Sequence, residues 1–140
     1  MQKEIKHTWL YSHSPQEVWD YLTKPELIEQ WLGKSNFLPI VGHKFHFIGK
    51  CDGEEKVAAL CEVLETKPYS QLSYSWQANS LSDNKPFDSK VLWTLTSKGN
   101  GTELKLVHNG FTALEDVIAH NSGWTRCGNI ISELINTVLK

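Results

Sequence analysis

The chain has 140 residues, 40% hydrophobic and 21% charged, with a formal net charge of -2; this fits one domain with a sizeable core and excludes general disorder. No run reaches the roughly 20 apolar residues of a membrane span, and the opening Met1-Gln2-Lys3-Glu4 has no signal-peptide pattern, so a cytoplasmic location is expected. Scattered lysines and a single arginine, Arg126, argue against nucleic-acid binding, which needs clustered cations.

Residues 3–11 alternate as a strand, with apolar residues on both faces in its second half, so the pattern leaves open whether Trp9 or Leu10 points inward. Ser14-Pro15-Gln16-Glu17 reads as a helix start: a serine cap, a proline where its missing N–H costs nothing, and a glutamate in the reciprocal capping position. Val18, Trp19, Tyr21 and Leu22 give that short helix an apolar side. Thr23-Lys24-Pro25-Glu26 repeats the start signal, with Leu27, Ile28, Trp31 and Leu32 as the packing stripe and Gly33 as a C-terminal cap. Trp19 and Trp31 are expected to anchor the two helices to the body of the fold.

Five further strands follow. They centre on His43–Gly49, on 55–65 with Val57, Ala59, Cys61 and Val63 sharing a face, on Leu72-Tyr74-Trp76, on Val91-Trp93-Leu95, and on Leu104-Leu106-His108. Cys51-Asp52-Gly53-Glu54 is turn-like, residues 78–86 form a polar loop, and Lys98-Gly99-Asn100-Gly101 makes a tight hairpin. Such local connections predict an antiparallel meander. The period then changes. Leu114, Val117 and Ile118 begin a helical pattern, expected to loosen around Asn121-Ser122-Gly123. Trp124, Cys127, Ile131, Leu134, Ile135 and Val138 form a long apolar stripe opposite Arg126, Asn129, Glu133, Asn136 and Lys140. Gly128 lies on or beside that stripe, where it permits close approach. The order β-α-α-β-β-β-β-β-α predicts a curved sheet around the terminal helix.

Several words of this chain, taken together, resemble the bacterial relatives of the Hsp90 ATPase activator C-terminal domain, within the START/Bet v 1-like superfamily. They are Ser14-Pro15-Gln16-Glu17-Val18-Trp19, Pro25-Glu26-Leu27-Ile28-Glu29-Gln30-Trp31-Leu32, Gly42-His43-Lys44-Phe45-His46-Phe47, Gly101-Thr102-Glu103-Leu104-Lys105-Leu106-Val107-His108 and Gly123-Trp124. The resemblance spans about residues 5–139. It implies an α+β helix-grip fold: a curved six-stranded antiparallel sheet around a long C-terminal helix, two short helices after strand one, and often a cavity between sheet and helix. Members of the wider superfamily bind lipids, polyketides or other hydrophobic molecules, and some are enzymes. Interaction with an Hsp90-type chaperone is also implied, more weakly, because 140 residues leave no room for the additional N-terminal domain of the eukaryotic activator.

With six Trp, four Tyr and five Phe, the chain supplies broad apolar surface and few acid–base groups. Phe45, Phe47, Tyr74, Trp76, Trp93, His108 and Trp124 are the candidate cavity residues, with complete core filling as the competing outcome. His108 shares a face with Leu104 and Leu106 and is placed either to orient a ligand oxygen or as a satisfied internal histidine. His43 and His46 have poor spacing for a shared metal site. Ser14 is explained by capping, and Arg126 stands two residues from Trp124, which does not assure a shared site. Cys51, Cys61 and Cys127 contain no CxxC pair and read as structural thiols. No nucleophile elbow, phosphate loop, zinc-protease motif or dinucleotide fingerprint occurs. The expectation is noncatalytic binding of a small hydrophobic or amphipathic molecule, without cofactor or metal. The alternatives are a protein-interaction or Hsp90-related co-chaperone or stress-response module and, less favoured, a cavity enzyme. A homodimer is compatible with the pattern, which identifies no decisive interface.

Overall fold

A computed structural model describes residues 3–51 and 54–138, the side chains at 50, 51, 54 and 136–138 excepted. The turn expected over Cys51-Asp52-Gly53-Glu54 falls on residues 52 and 53, outside the described residues, as do the side chains of Asn136, Val138 and Lys140. The elements are β1 (Lys3–Tyr11), α1 (Pro15–Thr23), α2 (Pro25–Trp31), β2 (Lys34–Ser35), β3 (Lys44–Cys51), β4 (Glu54–Lys67), β5 (Gln71–Asn79), β6 (Pro86–Lys98), β7 (Gly101–Phe111) and α3 (Leu114–Val138). They form one antiparallel sheet in the order β1-β7-β6-β5-β4-β3-β2. The six long strands stand where the alternation predicts them, and α3 packs against β1 and β7.

The seventh strand, β2, is a correction to the expected six. Two residues cannot display an alternation, so nothing in the pattern marks them. Lys34 pairs with Ile48 and Ser35 with Phe47. Gly33 makes this possible: a Cβ there would collide with the Ile48 carbonyl oxygen. Leu32, not Gly33, is the C-cap of α2.

Local signals fix the short helices. The Ser14 hydroxyl accepts the Glu17 amide at 3.3 Å, and Glu17 returns a carboxylate oxygen to that hydroxyl. The second start differs from expectation, because Lys24 occupies the N-cap and no side chain caps it. Thr23 instead donates its hydroxyl to the Trp19 carbonyl at 2.9 Å, back along α1. Trp19 and Trp31 are both buried, and the Trp31 indole N–H donates to the Tyr21 carbonyl at 2.7 Å, tying the two helices together.

Two irregularities bend β4. Register shifts between Phe47 and Ile48 and between Val63 and Glu65 leave Ala58 and Leu64 as extra residues. The first shift breaks the expected face: Ala59, Cys61 and Val63 are buried, whereas Val57 is 57% exposed. The β6–β7 hairpin turns on Gly99 with φ 60°.

The expected loosening of the last helix is absent: α3 is continuous through Asn121-Ser122-Gly123. A glycine costs a helix about 1 kcal/mol, and tertiary anchors on either side outweigh it. Trp124 is buried, His7 Nε2 and Asn121 Oδ1 lie 2.8 Å apart, and the Thr125 hydroxyl lies 3.5 Å from the same His7 nitrogen. Farther along, Gly128 lets Trp9 lie across the helix, since a Cβ there would enter the Trp9 indole. Tyr11 donates to the Gly128 carbonyl at 3.0 Å. Trp9 thus faces α3 while Leu10 is exposed, which settles the orientation of β1.

Candidate functional site

The inward parity of β3, β5, β6 and β7, together with the α3 stripe, brings Phe45, Phe47, Tyr74, Trp76, Trp93, His108 and Trp124 into one cluster, each at most 5% exposed. Ring–ring contacts connect them: Phe45–Tyr74 at 5.3 Å, Phe47–Trp76 at 5.5 Å, Trp76–Trp124 at 5.3 Å and Trp93–Trp124 at 5.5 Å. Phe37, from the segment between β2 and β3, enters the same space edge-on to Phe45 at 4.9 Å. Trp31 reaches in from α2 to 6.1 Å from Trp93. These two additional rings occupy volume between sheet and helix.

Internal hydrogen bonds use most polar atoms of the cluster. The Trp93 indole donates to the Tyr74 hydroxyl at 2.9 Å. Burial raises the Tyr74 pKa far above the ordinary phenol value, so that hydroxyl stays protonated. The Trp124 indole donates to His108 Nδ1 at 3.0 Å, so the His108 proton sits on Nε2, which faces Ser89 Oγ at 2.8 Å. The Ser89 hydroxyl in turn donates to the Trp76 carbonyl at 2.9 Å. Burial, with the neighbouring His120 adding to it, pushes the His108 pKa from 6.5 down to about 3. His108 is therefore a neutral, fixed tautomer with both nitrogens engaged, and no lone pair is left to serve as a base near neutral pH.

One polar atom is left over. Trp76 Nε1–H is buried without an acceptor, an arrangement that costs about 1–3 kcal/mol. Trp76 and Trp124 border a depression of about 90 Å³ at the side of α3, together with Leu32, His120, Gly123, Arg126 and Cys127. The depression shares Leu32 and Arg126 with a cleft of about 470 Å³ between α2, β3 and α3, and shares His120 with one of about 530 Å³ between β4, β5 and α3. The larger cleft is bordered by Val57, Leu60 and Leu81, which are 57%, 53% and 68% exposed. The remaining five candidate residues, Phe45, Phe47, Tyr74, Trp93 and His108, border none of these three openings.

Arg126 and Trp124, left unconnected by their sequence spacing, meet at the small depression. His120 and Asp116 were not marked by the pattern, although their four-residue spacing, repeated to Trp124, was available as a signal. His120 Nδ1 donates to the Asp116 carbonyl at 2.8 Å, and burial lowers its pKa. The buried Asp116 carboxylate accepts the Ser80 hydroxyl at 2.5 Å and the Leu81 amide at 2.8 Å, fastening the β5–β6 loop to α3. His43 stacks on Phe45 and lies 2.9 Å from the Asn36 carbonyl, while the His46 amide donates to the Asn36 side chain. No group of three or more potential metal ligands occurs among the described residues.

A curved antiparallel sheet gripping a long C-terminal helix, with two short helices after the first strand, defines a helix-grip protein. The family described as activator of Hsp90 ATPase homolog 1-like protein matches residues 12–136, and the chain belongs to that family. Protein MLL2253 from Mesorhizobium loti is 31% identical with a TM-score of 0.86, over 96% of this chain and 98% of that one. CalU16 from Micromonospora echinospora is 25% identical with a TM-score of 0.78, over 96% and 76% of the two chains. The Aha1 dimer from Colwellia psychrerythraea, at 16% identity and a TM-score of 0.73 over 94% of each chain, shares the fold. Comparison with curated proteins found no match. No helix among the described residues is long and apolar enough to cross a membrane.

Proposed function

We propose that this chain works as a one-domain interaction module of the Hsp90-activator type, in the cytoplasm and in a stress-response setting, engaging its partner through its outer surface. The observation that carries this reading is the division of apolar surface. The aromatic residues that an interior ligand would need are spent on mutual packing, whereas Val57, Leu60 and Leu81 stand exposed around one cleft. Clustered exposed apolar residues are a common mark of association sites. Family membership supplies the partner class, an Hsp90-type chaperone, and self-association through the same face is part of the proposal. The test is a binding titration and ATPase assay with the purified chaperone of the same cell, using wild type and a Leu60→Ser/Leu81→Ser variant. Saturable binding weakened about tenfold or more by the variant supports the reading; no binding by wild type ends it.

The second reading is noncatalytic binding of a small amphipathic molecule. The unpartnered Trp76 indole beside the small depression favours it. Ligand screening against the folded protein tests it, and absence of saturable binding would remove it. Turnover abolished in a folded His108→Ala variant would overturn the noncatalytic part.

A further inference from the structure

Two residues that line the same depression each carry a hydrogen-bond donor without an acceptor. Trp76 Nε1–H is one. The Arg126 guanidinium is the other: Arg126 is exposed and takes part in no ion pair or hydrogen bond among the described residues, although Glu29 shares its outer cleft. Lys34, the other cation there, is already held by Glu55 at 2.7 Å. Between the two donors the walls are apolar, from Leu32, Trp124 and Cys127. A cation and a neutral N–H on residues that line one apolar depression fit an acceptor-only anion attached to an apolar body.

The volume limits the size of that group. Water occupies about 30 Å³ in the liquid, so a depression of about 90 Å³ takes only a few heavy atoms. Anything longer continues into a neighbouring cleft. The opening shared at His120 leads past Ala119 toward Leu60 and Leu81, which is apolar; the other leads to Glu29 and the Lys34–Glu55 pair, which is charged. An aliphatic tail therefore follows the first route.

We propose that this depression binds the carboxylate of a small aliphatic monoanion between Arg126 and the Trp76 indole, with its tail along the cleft toward Leu81. The proposal rests on the small-molecule reading, not on the chaperone interaction. The Trp76 N–H is covered in this structure, so binding includes a small displacement of the Trp76 or His120 ring, whose centroids are 6.1 Å apart.

The experiment uses hexanoate and 1-hexanol as probes against ¹⁵N-labelled protein, following the tryptophan indole N–H signals by NMR, with Trp76 identified by the signal missing in Trp76→Phe. Hexanoate is expected to shift the Trp76 indole saturably. Binding should weaken at least about tenfold in Arg126→Gln and for 1-hexanol, the loss of one charge-assisted contact. Arg126 is solvent-exposed, so this variant keeps the core intact. Equal binding of both probes, unaffected by Arg126→Gln, overturns the carboxylate assignment while leaving small-molecule binding in place. Shifts confined to the surroundings of Lys34 also overturn it. No saturable binding of either probe overturns the assignment, while the small-molecule reading is decided separately by the broader ligand screen.

Discussion

Acidification acts on the interior of this protein through His108. The ring is fully buried, receives the Trp124 indole on Nδ1 and engages Ser89 through Nε2. Its pKa falls from 6.5 to about 3 because burial penalises the charged ring. Above pH 6.5 neither the folded nor the unfolded chain protonates it, and it contributes no pH dependence. As the pH falls below that value, the unfolded chain takes up a proton that the folded chain refuses, so stability drops until the native ring also protonates near pH 3. From pH 6 to pH 4 this linkage amounts to about 2–3 kcal/mol, and over the whole window to roughly 4–5 kcal/mol. A His108→Gln variant preserves one acceptor and one donor but cannot titrate. Urea unfolding of both proteins across this range isolates the His108 contribution from that of His120, which acts in the same direction. Wild type should lose about 2–3 kcal/mol more than the variant between pH 6 and pH 4. Parallel curves would refute the sealed, neutral histidine.

Other perturbations test the packing. Phe37→Ala should cost about 3–5 kcal/mol and open an apolar cavity beside Phe45 and Tyr74; urea unfolding and xenon-binding shifts in NMR check both, and an unchanged midpoint would show that Phe37 is not a core plug. Gly128→Ala forces a methyl into the Trp9 indole and should destabilise by about 1–3 kcal/mol, read as a lowered urea midpoint. Burial raises the Cys127 pKa to about 11 and that of Cys61 further, so both thiols should resist iodoacetamide at pH 8 in the native protein and label in urea, as resolved by peptide mass spectrometry. Rapid native labelling of either would contradict the closed core.

The fold was largely legible because its signals are local. Alternation marked the six long strands, Ser14-Pro15 opened α1, and three- and four-residue spacing marked α3. What escaped was set by tertiary contact. β2 has only two residues and depends on a close approach at Gly33; Val57 left its expected face because a bulge at Ala58 shifts the register; α3 survives Gly123 because the buried Trp124 and the contacts of His7 with Asn121 and Thr125 anchor it. The candidate residues do share one interior, as their parity implies. Parity could not show how full that interior is. Phe37 lies in an irregular segment with no periodicity to betray an inward side chain, and His120 reaches the small depression only because α3 runs unbroken past it.

The most direct test of the proposed interaction is a calorimetric titration of this protein with the purified Hsp90-type chaperone of the same cell, run alongside the Leu60→Ser/Leu81→Ser variant. The account predicts saturable binding by wild type and at least about tenfold weaker binding by the variant. A wild-type protein that gives no binding heat and leaves the chaperone's ATPase rate unchanged would contradict it.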